Sequence, residues 1–294
     1  MVAPVPLTPG SATSLLQQWC PGLQRSGTRV DDTPALRLVC LASSGNSEDM
    51  YTAEGTGARR APSPLLAWCR AHQVEILAVQ YPGRGSRNKE PCLRSARDMA
   101  MAILNALGSR LEGSPWGVLG HSVGCLVGYE LVQLAKHRPS LSPPQVFIAA
   151  AFTAPGICVS RRPWTPNARL DDEAFAAEVR AWGASEALFE PTIWNLYLPL
   201  LRHDYTMFDT APEFSITTER TLMCPVVAQW ATRDSRISES HVREWAEVTA
   251  EGVPFVAEAI TGTHMFPLDK ENKAAWLEKV VGHLERILGA STIL

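Results

Sequence analysis

The pentapeptide Gly120-His121-Ser122-Val123-Gly124 constrains this chain more than any other segment. A serine hydroxyl is a poor nucleophile unless the backbone holds it out of a sharp turn beside a base. Small residues two positions before and after the serine let a strand turn into a helix at that point. The flanks fit such a turn. Val118 and Leu119 end an apolar run, and Cys125, Leu126, Val127, Tyr129, Leu131 and Leu134 then recur at helical spacing. A glycine-rich turn with a capping serine is the plainer reading of the same pattern; the strand before it and the helix after it separate the two.

The rest of the chain alternates in the same sense. Apolar runs at 37–42, 74–80, 117–119, 145–150, 224–230 and 254–260 read as strands. Amphipathic segments at 64–71, 96–111, 240–250 and 272–288 read as helices. Strand and helix in alternation predict an α/β fold, a mostly parallel central sheet with helices on both faces. Ligands then bind beyond the carboxyl ends of the strands, where Ser122 would lie. Residues 155–215 break the alternation. A helix capped by Asp171 or Asp172 and bearing Phe175, Val179 and Trp182 precedes a second apolar segment, Ile193 to Leu201. These read as a helical lid inserted into a core of 36–154 and 216–294, with two ordinary core helices as the alternative. Residues 1–35 read as a Pro/Ser/Gly-rich flexible leader; an organelle transit peptide is the alternative, because residues 1–30 hold no acid.

Composition excludes several classes of function. With 294 residues, 46% hydrophobic and 19% charged, the chain can bury a sizeable core and is not globally disordered. A net charge of -3 gives no general attraction to nucleic acid or to an anionic membrane. No apolar run approaches the ~20 residues of a membrane-spanning helix. No nucleic-acid or membrane partner is therefore expected. None of the seven cysteines forms C-x-x-C, so a metal site is unsupported. Their apolar surroundings predict small buried hydrophobes in a reducing, cytoplasmic compartment. A monomer is expected.

Activating a serine needs a base within hydrogen-bond reach and an acid to orient that base. In folds built around this elbow the chain order is Ser, then Asp or Glu, then His. His264 follows the last predicted strand, in Thr261-Gly-Thr-His-Met-Phe-Pro267, so its loop faces the ligand side. His72, His203 and His241 fall before a strand or in helices. Asp234 follows the strand that ends near Trp230, and a carboxylate there would accept the imidazole Nδ1 proton. Asp204 and Asp209 are its rivals. The oxyanion needs two backbone donors, the amide of Val123 after the nucleophile and an amide of the loop after the first strand, near Ser43.

Together these residues resemble the type II thioesterases of polyketide, non-ribosomal peptide and fatty acid synthesis, which have the α/β-hydrolase fold. The likeness spans roughly Leu36 to Leu288. It rests on Gln80-Tyr-Pro-Gly-Arg-Gly-Ser-Arg87, the serine elbow, Leu198-Pro-Leu-Leu-Arg-His-Asp-Tyr205, Ala231 to Ile237 and Gly262-Thr-His264. The resemblance implies a free-standing hydrolase that removes acyl groups from the phosphopantetheine arm of an acyl carrier protein. It implies Ser122, Asp234 and His264 as a catalytic triad, a mobile lid over an acyl channel, and no cofactor. It makes Arg202 and Asp204 structural or interfacial lid residues. Arg84, Arg87, Arg161 and Arg162 are candidates for a basic rim facing an acidic carrier protein. Arg59 and Arg60, in an insertion before Trp68, are candidates for the channel rim. Two other functions share these residues: a carboxylesterase or lipase acting on oxygen esters, and a non-catalytic binding protein of the same fold.

Overall fold

Leu36–Leu41 (β1), Val74–Ala78 (β2), Trp116–His121 (β3) and Phe147–Ala150 (β4) are buried at every position. Val226–Ala231 (β5) is nearly so, and Phe255–Ile260 (β6) is partly exposed at one edge. Strands this continuously apolar need cover on both faces, the signature of a parallel sheet. A computed structural model, which describes residues 15–31, 33–56, 60–214 and 217–291, bears this out. The six strands form one sheet in the order β2-β1-β3-β4-β5-β6, every neighbouring pair parallel.

Alternate side chains along each strand feed opposite cores. Val39, Leu41, Val118 and Phe147 face Ala96–Leu111 (α2) and Val123–Ala135 (α3), while Leu38, Cys40 and Ile148 face Pro64–Ala71 (α1) and Lys270–Ser291 (α6). Caps set where two of these helices begin. The Ser63 hydroxyl accepts the Leu66 amide ahead of Pro64 at the first position of α1, and the Ser95 hydroxyl accepts the Asp98 amide at the start of α2. The strand order reverses direction between β1 and β3. The loops leaving these two strands therefore open a crevice between them.

Between β4 and β5 the chain carries Asp172–Ala181 (α4) and Pro191–Asp209 (α5). Asp171, of the two capping candidates, accepts the Ala174 amide. The expected helix at 240–250 is shorter, a turn of α-helix at Glu239–Arg243 continued as 3₁₀. Residues 1–14 of the expected leader, and Arg59, lie outside the described residues. Residues 15–31 are held against the core instead of running free. Trp19, Cys20 and Leu23 are buried, Gln80 donates its amide to the Trp19 carbonyl at 2.7 Å, and the Arg87 guanidinium lies 3.8 Å from the Trp19 ring centroid. Trp19 supplies the apolar area that composition counts could not weigh against the surrounding Pro, Ser and Gly. Among the described residues no helix is long and apolar enough to cross a membrane, and no group of three His, Cys, Asp or Glu is placed to hold a metal ion.

Candidate active site

Ser122 joins β3 to α3 with φ 54 and ψ -130. L-residues rarely adopt that conformation, and it turns the side chain out of the strand–helix elbow. The flanking glycines are required by contact. A Cβ on Gly120 would lie 2.7 Å from the Gly124 carbonyl oxygen, and one on Gly124 would lie 2.3 Å from the Leu41 carbonyl oxygen. The start of α3 thus abuts the end of β1. The turn Ser43–Asn46 that follows β1 is brought to the same cavity wall as Ser122.

His264, after β6, and Asp234, after β5, converge on the elbow. His264 Nδ1 lies 2.7 Å from Asp234 Oδ2, and Nε2 lies 2.9 Å from Ser122 Oγ. A carboxylate only accepts, so Nδ1–H donates to Asp234 and Nε2 accepts the serine hydroxyl. Asp234 Oδ1 accepts the amides of Arg236 and Ile237 at 2.9 and 3.0 Å. Burial pushes this carboxyl up, but the hydrogen bond from His264, the imidazole charge and the two amides outweigh it, and the Asp234 pKa stays below the usual carboxylate range. The rival acids are engaged elsewhere: Asp209 accepts from Trp164 and Asn167, and Asp204 pairs with Arg84. Neither the Ser43 nor the Val123 amide has a protein acceptor among the described residues. For Val123 this follows from its place in the first turn of α3.

Four further residues, His121, Glu178, Trp182 and Arg236, hold this arrangement, and sequence patterning gave none of them a role in it. His121 Nε2–H donates to the His264 carbonyl at 3.0 Å, beneath the base. The Trp182 ring meets the His264 ring edge to face at 4.7 Å between centroids. Trp182 Nε1 donates to Glu178 at 3.1 Å, and the other Glu178 oxygen accepts from Arg236 at 2.7 Å. The end of α4 therefore touches both the base and the loop that carries the acid. Position was the only available signal: His121 precedes the nucleophile, and Arg236 lies two residues beyond Asp234.

Burial pushes the His121 pKa down to about 3, helped by the charge of His264 and only partly offset by the hydrogen bond to its carbonyl and by Asp234. The folded value lies below the ~6.5 of an exposed imidazole, so in acid the unfolded chain binds a proton that the native state refuses. Stability from this group is complete above ~6.5 and declines as pH falls from there toward 3, by up to ~1.4 kcal/mol per pH unit. Urea unfolding of His121→Gln should show this. The free-energy gap between the parent and the variant should shrink by ~2 kcal/mol from pH 7 to pH 4.5. A gap that does not change with pH would contradict the assignment.

A cavity of about 320 Å³ opens beside Ser122 and His264. Ser43 lines it together with Trp182, Tyr197 and Tyr205 from the segment between β4 and β5. Its walls are mostly apolar and its size suits a small or chain-like ligand. The basic rim expected from sequence does not form around it. Arg84, Arg87 and Arg162 are buried: Arg84 pairs with Asp204, Arg87 with Glu90, and Arg162 donates to the carbonyls of Phe208, Asp209 and Ala211. Charge was legible in the sequence and burial was not. Arg161 is exposed and pairs with Glu244, and Arg202 bridges the Asn167 carbonyl and Asp172.

The family model for the thioesterase domain matches residues 66–288. Thioesterase PikA5 of Streptomyces venezuelae is 30% identical over 238 residues, covering 80% of this chain and 77% of that protein. Gramicidin S biosynthesis protein GrsT of Aneurinibacillus migulanus is 24% identical over 224 residues, covering 75% and 79%. Among solved structures, the type II thioesterase BorB from the borrelidin biosynthetic cluster superimposes with a TM-score of 0.68 at 27% identity, covering 87% of this chain and 96% of that one.

Proposed function

This chain belongs to the thioesterase family, and from that premise we propose that it is a type II enzyme releasing acyl groups from the phosphopantetheine thioester of a carrier protein in polyketide or non-ribosomal peptide synthesis. The observation that carries the reading is the hydrogen-bonded run Asp234–His264–Ser122, opening onto an apolar cavity. PikA5 and GrsT, by their names, are a thioesterase and a gramicidin S biosynthesis protein.

In this reading His264 Nε2 takes the hydroxyl proton as Ser122 Oγ attacks the thioester carbonyl. The oxyanion forms against the amides of Val123 and Ser43, which have no protein acceptor of their own. The carbon–sulfur bond breaks, the pantetheine thiol leaves with the proton from His264, and an acyl-serine remains. Water then gives its proton to His264 and attacks the acyl-serine, and Ser122 recovers its hydrogen as the free acid departs. Asp234 stays ionised throughout and stabilises the imidazolium. Residues 155–215 act as the lid, and Trp182 and Tyr205 from it wall the acyl chain.

The same relay serves oxygen esters, so substrate choice is the discriminating measurement. Carrier proteins loaded with acetyl to dodecanoyl groups, followed by intact-protein mass spectrometry, should lose their acyl groups when this chain is added. Turnover of acyl-pantetheine should exceed that of p-nitrophenyl esters of matched length. Preference for the oxygen esters, with carrier proteins left loaded, would assign the chain to ester hydrolysis. Failure of a fluorophosphonate to label Ser122 would remove the enzymatic reading altogether.

A further inference from the structure

The hydrolytic relay leaves two of the sequence segments unused, Gln80–Arg87 and Leu198–Tyr205. They meet in one buried ion pair. Asp204, on α5, is 0% exposed, and its two oxygens accept from Arg84 Nη1 at 2.7 Å and Nη2 at 2.5 Å. The oxygen bound to Nη1 also accepts the Gly45 amide at 2.7 Å. Arg84 Nη1 donates a second time, to the Asn46 carbonyl at 3.2 Å. Asn46 folds back on Ser43: its amide donates to the Ser43 carbonyl at 3.1 Å and its Nδ2 to Ser43 Oγ at 2.9 Å. Both members of the ion pair therefore grip the same turn, and that turn carries the Ser43 amide.

The fit of helix to turn is close. Gly45 has φ +72, and a Cβ there would stand 3.0 Å from Leu201 Cδ2, three residues before Asp204 on the same helix. A buried ion pair is a poor source of net stability, because well-packed apolar residues often serve as well. What an apolar pair cannot supply is a charged acceptor for a backbone amide, fixed in place by a second charge.

We propose that Arg84 and Asp204 are positioning residues for the oxyanion donor: through Gly45 and Asn46 they hold the Ser43 amide toward the reacting carbonyl, and the helix that carries Asp204 must be seated for the donor to be in place. This rests on the hydrolase reading given above and on Ser43 as a donor. It ties the segment covering the cavity to transition-state stabilisation as well as to substrate binding.

The test uses the full chain with two variants. Asp204→Asn combined with Arg84→Gln replaces the pair by neutral groups of similar shape and leaves no unpaired charge. Arg84→Lys keeps the charge and loses the two-pronged contact. Kinetics on an acyl-pantetheine thioester are read beside inhibition by the matching trifluoromethyl ketone, whose adduct with Ser122 places an oxyanion in the same position. Loss of an oxyanion donor costs on the order of 10²-fold or more. The neutral pair should therefore lower kcat by ~10- to 100-fold, with KM within about threefold of the parent, and should weaken ketone affinity by the same factor as kcat. Arg84→Lys should fall between the parent and the neutral pair in both readouts. If either folded variant keeps parental kcat and ketone affinity, or loses only KM, the proposal is wrong and the pair merely anchors the helix. The neutral variant retains an amide oxygen at position 204 as an acceptor, and Arg84→Lys retains the charge balance. A failure of both to fold, seen as loss of the parental melting transition, would therefore likewise overturn a positioning role in favour of a structural one. Persistence of turnover in Ser122→Ala is a separate result, which removes the hydrolase reading itself.

Discussion

Ser122→Ala should lower thioester turnover by on the order of 10⁴- to 10⁶-fold while leaving the melting temperature within a few degrees of the parent. The change removes one oxygen. Alanine keeps a Cβ, so the backbone at residue 122 stays in its uncommon conformation and the elbow retains its shape. The lost bond is the one from the hydroxyl to His264, 2.9 Å long. His264 keeps its bond to Asp234 and the hold of His121 on its carbonyl, so the base stays in position with no nucleophile to activate. What remains is whatever the oxyanion donors and the cavity contribute by binding, a small residue of the full rate. Intact-protein mass spectrometry adds a second readout. The parent, quenched during turnover, should carry an acyl mass that the alanine variant lacks. More than about one per cent of parental turnover in a folded alanine variant would mean that another group carries out the attack.

The parts of this site that were legible in the sequence are those fixed by local backbone rules. The elbow is one contiguous pentapeptide: Gly120 is set by a contact inside it, with Gly124, while Gly124 is set by the end of β1 at Leu41. Asp234 and His264 follow predicted strands, and in a parallel sheet the loops after the strands gather at one edge. Ser122 and His264 are 142 residues apart in the chain, yet the parallel order of the strands puts both after strand ends on the same edge of the sheet. The alternation of strand and helix was readable for the same reason, since continuous apolar runs and helical spacing are short-range signals.

Pairing between distant charges was not legible. Arg84 and Asp204 are separated by 120 residues, and nothing in either segment says that the guanidinium turns inward. The same holds for Arg162, which satisfies three carbonyls at the end of α5, and for Glu178 and Arg236, which join α4 to the acid loop. An arginine on a loop reads as solvated surface until its acceptors are placed. The segment 15–31 was misread in a related way. Its composition is that of a free leader, but Trp19, Cys20 and Leu23 find an apolar groove that only the assembled sheet provides. In each case a three-dimensional partner decided the outcome against a local preference.

The acid offers a sharper chemical test than its removal would. In Asp234→Asn the oxygen at the Oδ1 position is still needed by the amides of Arg236 and Ile237, at 2.9 and 3.0 Å. These two bonds fix the amide orientation and leave its NH₂ where Oδ2 meets His264 Nδ1, 2.7 Å away. Two donors cannot face each other, so the imidazole proton moves to Nε2 and Nδ1 becomes the acceptor. His264 Nε2 can then no longer take the proton of Ser122. The expected result is a loss in kcat on the order of 10⁴-fold with the loop and the fold intact. Asp234→Ala frees the imidazole to hold either tautomer and should lose less than the asparagine variant, although it removes more contacts. A purely structural role for residue 234 predicts the opposite order, with alanine the worse of the two. Single-turnover acylation of Ser122 by an acyl-pantetheine, followed by mass for both variants, separates these outcomes. Parity of asparagine with the parent to within about tenfold would place the orienting acid elsewhere.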